Sequence, residues 1–164
     1  MDHVVVEPDH HNFARVARAL QEEADGKEWA AELRADLHKA LEPGVAAARG
    51  AVLGMPSTGE PHPGEPLRVA VAHQVVSEVS LGRNPGARIR VRKRGMPRGF
   101  ANAGKRLNAR RGWRHPVFGA TDFWVSQRGE PGWFDDTMRR LHPRLRQAAE
   151  RALANRARRI TRRV

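Results

Sequence analysis

The chain has 164 residues, no cysteine, 30 Lys+Arg against 18 Asp+Glu, and a formal net charge of +12. That length makes one domain with a modest core, able to bury roughly 70% of its unfolded surface, and the missing cysteines exclude disulfides and thiolate metal sites. No apolar run approaches the roughly 20 residues of a membrane span, and Met1 to His11, with acids and no Lys or Arg, does not read as a signal peptide; the expectation is a chain made in the cytoplasm, or in something assembled there, with no membrane partner.

The N-terminal part reads as helical over 9–53. Asp9 caps a helix starting near His10, with Phe13, Val16, Ala17 and Leu20 on one face and Gly26 ending it. Lys27 to Leu41 repeats the helical step through Trp29, Leu33, Leu37 and Leu41; Pro43-Gly44 then interrupts it, and Val45 to Leu53 forms a further helix. Gly54 to Pro66 holds four prolines and three glycines in thirteen residues, an extended, mobile connection. Leu67 to Leu81 fits both periods: Leu67, Val69 and Val71 alternate, whereas Leu67, Val71, Val75 and Val79 recur at helical spacing. Fifteen residues without Gly or Pro are long for a strand, so a helix over 67–81 is expected.

The sheet region spans 87–127. In "ARIRVRKR" Ala87, Ile89 and Val91 fall on one face and Arg88, Arg90 and Arg92 on the other, the clearest strand in the chain. A glycine-punctuated basic loop, 93–112, follows, with a short helix near Ala101 to Arg110 and an expectation that it orders on docking. Trp113 to Phe118 and Phe123 to Gln127, joined by a turn at Gly119 to Asp122, make a hairpin. Trp113 packs while Arg114 reaches outward, and Pro116, which cannot donate to a ladder, makes the strand an edge or irregular. From Trp133, Phe134, Met138, Leu141, Leu145, Ala149, Leu153, Ala157 and Ile160 step by three or four, giving an amphipathic helix over 133–161 that is kinked or restarted at Pro143. The fold class expected is α+β: a small antiparallel sheet packed against N-terminal helices and a long C-terminal amphipathic helix.

Charge is distributed unevenly along this frame. Residues 1–80 hold 7 Lys+Arg against 13 Asp+Glu, a balance of −6, and residues 81–164 hold 23 against 5, a balance of +18. Arg88 to Arg114 contains eleven basic residues and no acid. Such a field attracts polyanions or an acidic protein face. Arg88, Arg90, Arg92, Arg110, Arg111 and Arg114 are the candidates for an interface or for facing a polyanion, and Trp113, Phe118, Trp124 and Trp133 the candidate sheet anchors. Phosphate-binding loops, a dinucleotide fingerprint, a nucleophile elbow and a zinc-protease motif do not occur in the sequence. His10-His11 and the pair His62 and His73 lack ligand spacing. His115 with Asp122 lacks a nucleophile beside it. No catalytic residue, cofactor or metal is assigned.

The order "MPSTG", "LRVAVA", "ARIRVRKRGMP", "WRHPVFG", "FWVSQ" and "PGWF", ahead of a terminal helix, resembles the tail-completion (head-to-tail joining) neck proteins of long-tailed bacteriophages over roughly Phe13 to Ile160. The resemblance implies a non-enzymatic virion protein, assembled in the host cytoplasm. It implies a ring of six copies between the connector or head-completion protein and the tail tube or tail terminator protein. It places Trp113 to Gly119 and Phe123 to Gln127 in the sheet, Pro131 to Phe134 at the junction with the last helix, and Pro56 to Gly59 in the loop before Leu67. "GEPHPGEP", at Gly59 to Pro66, is longer than in many relatives. The arginines then meet a neighbouring subunit or DNA held in the channel, and the alternative reading is a basic nucleic-acid-binding module.

Overall fold

Leu33, Leu37, Leu41, Val45, Ala48 and Val52 recur at three or four residues, and all are buried. This stripe builds one uninterrupted helix, α1 (Gly26–Leu53), in the computed structural model, which describes residues 3–6, 14–15, 17–19, 26–56, 65–117 and 120–161. One expectation is corrected here: Pro43, expected to interrupt the helix, lies inside it. Gly26, expected to end an earlier helix, is the first residue of α1, and residues 20–25 before it lie outside the described ones. An interior proline costs about 3 kcal/mol, whereas each large aliphatic side chain buried beyond it returns about 1.5–3 kcal/mol, so the apolar stripe carries the helix through. Residues 14–15 and 17–19 are helical, and Ala17 packs with Trp29, Leu33 and Leu37; the expected cap at Asp9 lies outside the described residues. Most of the expected connection, residues 57–64, lies outside them too.

The expected helix over 67–81 divides in two: α2 (Leu67–Gln74) and strand β2 (Val75–Ser80). At Val75 the backbone turns extended, with φ −73° and ψ 116°. Val75, Val76 and Val79 are β-branched residues that suit a pleated surface, and pairing with the neighbouring strand settles an ambiguity that periodicity left open. That neighbour is β3 (Gly86–Val91), the strand expected from "ARIRVRKR". A strand absent from the sequence reading, β1 (His3–Val6), completes an antiparallel sheet of order β1-β3-β2. The registers are Val4 opposite Ile89 and Val79 opposite Ala87. Ala87, Ile89 and Val75 are fully buried beneath α1, so the two-residue alternation read in β3 holds.

The basic segment 93–112 carries the short helix α3 (Ala103–Asn108). Ala103, Gly104 and Leu107 are buried, and Gly104 lies against Val91. This short helix therefore packs on its own chain, while most of the basic residues around it are exposed. Strands β4 (Trp113–Val117) and β5 (Ala120–Gln127) form a separate two-stranded antiparallel sheet, with a register shift between Pro116 and Val117, where the missing N–H predicts an irregularity.

The chain closes with α4 (Asp135–Thr161), continuous through Pro143. Gly44 meets Leu145 while Asp36 meets Arg156, so α1 and α4 run antiparallel. Helices against small antiparallel sheets, with a long terminal amphipathic helix, make the fold α+β.

Candidate interaction surface

Because β2 and β3 are antiparallel with Glu78 opposite Arg88, the outer face of the sheet gathers three predicted arginines around one carboxylate. Arg88 donates through Nε and Nη2 to Glu78 Oε2 at 3.1 and 2.9 Å. Arg90 Nε stands 3.0 Å, and Arg92 Nε 3.7 Å, from Glu78 Oε1. One acid thus partly neutralises three half-exposed guanidinium groups and leaves a surplus of positive charge. Sequence reasoning missed Glu78, although a signal exists: it is the single Asp or Glu between Glu65 and Asp122.

Arg110, Arg111 and Arg114 are exposed, and they stand elsewhere, at the foot of the β4–β5 hairpin. The two arginine groups therefore lie at different sheets. The foot itself is tightly built. Gly112 has φ +64°, and a Cβ there would collide with the carbonyl oxygen of Gln127. Gly129 lies against the backbone of Leu107, so the second strand leaves over the end of α3. Asn108, another residue the sequence did not single out, fastens this corner. Its Nδ2 donates to Asp135 Oδ2 at 2.8 Å, and its Oδ1 accepts from the Phe134 N–H at 3.1 Å. Nothing in the sequence around Asn108 marks it, because both partners lie more than twenty residues away.

The sheet anchors divide. Trp113 is buried, as expected. Trp133 is buried too, but it anchors helices, not a sheet: it precedes α4, donates Nε1 to the Gly104 carbonyl of α3 at 3.4 Å, and meets Phe134 edge to face. Phe118 lies outside the described residues. Trp124 is corrected outright, being 51% exposed, between Phe123 at 73% and Val125 at 41%. Consecutive strand residues point to opposite faces, so both faces of the hairpin present apolar side chains to solvent. Alternation showed which residues share a face; it carried no information on whether anything covers that face.

On α4 the buried residues Met138, Leu145, Ala149 and Leu153 define the inner side. Arg156 joins them, nine-tenths buried, with Nη1 on Glu32 and Nη2 on Asp36 of α1. Between these helices runs a groove of about 360 Å³ lined by Asp36, Lys39, Arg151, Asn155, Arg156 and Arg159, among others. The helix's remaining acids are engaged near their own position: Asp136 with Arg139, and Glu150 with Arg146. Among the described residues no three His, Asp or Glu side chains converge as metal ligands. No helix among them is long and apolar enough to cross a membrane.

The site is thus a surface, an apolar hairpin rising from a basic foot on an α+β body. Compared with protein-family models, curated proteins and solved structures, the chain finds no match.

Proposed function

We propose that this chain is a non-catalytic structural subunit of the head-to-tail neck of a tailed virus particle, which meets identical copies to close a ring between connector and tail. The observation that carries this reading is the hairpin. The strands Trp113–Val117 and Ala120–Gln127, which hold two of the motifs whose order carries the resemblance, form the one two-stranded sheet among the described residues, and Phe123, Trp124 and Val125 are exposed together. A two-stranded hairpin is marginal alone, and adjacent bare aromatic and aliphatic side chains mark a surface that another protein covers. Arginine and tryptophan, both present here, are the favoured anchors of such contacts.

Copies in a closed ring meet head to tail through two different patches, and the −6 balance of residues 1–80 offers a complement to the +18 balance of residues 81–164. The reading requires no cofactor or metal. Its alternative, a basic nucleic-acid-binding module centred on Arg88, Arg90 and Arg92, is weakened by Glu78, which already occupies those three side chains.

Particles assembled with an affinity-tagged copy of the chain, labelled with gold and imaged by electron microscopy, are expected to carry label where head meets tail. Label absent from every particle overturns the proposal. Substituting Phe123→Ser with Val125→Ser is expected to leave the subunit folded and to remove it from those particles.

A further inference from the structure

The exposed side of α4 carries a line of charge of its own, whose Arg151 also borders the groove against α1. Arg140, Arg144, Arg151 and Arg158 are all exposed. Their spacing of four, seven and seven residues confines them to a strip about 40° wide at 3.6 residues per turn, on the side opposite Met138, Ala149 and Leu153. The strip is about 27 Å long at 1.5 Å per residue. Among the described residues none of these four arginines makes an ion pair, because the nearby acids are committed: Asp136 to Arg139, Glu150 to Arg146, and Asp36 to the buried Arg156. Arg158 donates to the Asn155 amide, which leaves its charge uncompensated.

We propose that this stripe binds the phosphate backbone of duplex DNA without reading its sequence. Four features select that partner. Arginine presents a planar fork that grips phosphate oxygens bidentately. A strip of 27 Å runs beside about eight base pairs at 3.4 Å each, so several phosphates of one strand lie within reach of it. The residues interleaved along the strip are the exposed, polar Gln147 and Asn155 and the small Ala148 and Ala154, none of them a large apolar side chain. A protein-binding surface of this size has an apolar centre, which the strip lacks, whereas a phosphate wall asks only for charge and hydrogen-bond donors. No exposed aromatic side chain interrupts it on which a base could stack, so contact stops at the backbone. The inference rests on the residues of α4 and not on the neck assignment, so either can fail alone.

The test is fluorescence anisotropy of the full chain with two labelled 24-base-pair duplexes of unrelated sequence, titrated from 50 to 200 mM salt. Both duplexes are expected to bind within twofold of each other, with affinity falling about a hundredfold or more across that range for four or more phosphate contacts. The full chain with R140Q, R144Q, R151Q and R158Q, checked for helix content by circular dichroism, is expected to lose about 3 to 4 from the slope of log affinity against log salt. Each half of the set, R140Q with R144Q or R151Q with R158Q, loses about half of that. A triple R88Q, R90Q and R92Q variant keeps the full slope. No binding at 50 mM salt, an unchanged slope in the quadruple variant, or the slope moving with the sheet triple instead overturns the proposal. Poly-glutamate competing as well as DNA at equal charge overturns it in favour of an acidic protein partner.

Discussion

Arg156 of α4 donates its Nη2 to Asp36 of α1 at 2.8 Å, across the seam between the two longest helices. The guanidinium is nine-tenths buried while its carboxylate partners, Asp36 and Glu32, are about half exposed. The arginine is therefore committed to the seam, whereas the acids keep access to water.

This asymmetry predicts that Arg156→Met costs about 1–2 kcal/mol, below the 3–5 kcal/mol of a fully buried pair, since water can solvate the two carboxylates left behind. Urea denaturation followed by circular dichroism measures it. A midpoint shift as large for Asp36→Asn as for Arg156→Met contradicts it, because Glu32 still holds the arginine when Asp36 is neutralised.

Where α1, β3 and α4 converge, a Cβ on Gly44 would stand 2.5 Å from Cδ1 of Ile89 and 2.8 Å from Cδ1 of Leu145. Gly44→Ala gains about 1 kcal/mol of helix propensity but overpacks this point by about 1–3 kcal/mol. Net destabilisation is expected, and Ile89→Val, which removes the colliding methyl, is expected to restore most of the loss in the double variant. Thermal unfolding of the four proteins checks the cycle; strictly additive losses refute the close approach.

The two hairpin tryptophans separate folding from association. Trp113→Ala empties a buried site and is expected to cost about 3–5 kcal/mol. Trp124→Ala, at a half-exposed position, is expected to cost less than about 1 kcal/mol and to weaken incorporation into particles. Equal losses of stability for both would mean that the hairpin is covered within the subunit.

Glu78 holds three arginines at the surface, so its removal leaves unrelieved repulsion. Glu78→Gln is expected to destabilise the fold by about 1 kcal/mol at low salt and by clearly less at 0.5 M, where the screening length falls to a few ångströms. A salt-independent effect would point to packing as the cause.

Gly112→Ala strains a positive φ and drives a methyl into the Gln127 carbonyl, a backbone atom with little room to move. A loss of about 2 kcal/mol or more is expected, with the hairpin amides exchanging faster than those of β3. Hydrogen exchange read strand by strand decides it.

Local pattern was enough for several elements. Strand β3 was legible because arginine and aliphatic residues alternate at a period only a half-buried strand uses, and α4 because its apolar residues step by three or four for most of its length. The hairpin was legible from two short runs across a turn, and its irregularity from Pro116. The six predicted arginines are all at least partly exposed, since nothing in their surroundings could repay burial of so much charge.

Long-range pairing decided the rest. Val75 to Ser80 carries a pattern fit for helix or strand, and only hydrogen bonding to β3, and through it the β1–β3–β2 order, resolves it. Pro43 stays inside α1 because Ile89 and Leu145, both distant along the chain, receive the face beyond it. The convergence of Arg88, Arg90 and Arg92 on Glu78, the burial of Arg156 and the exposure of Trp124 depend on what lies across a strand, against a helix or over a sheet. A sequence determines the period with which side chains repeat along one element, whereas the cover over each face is a property of the whole packed chain.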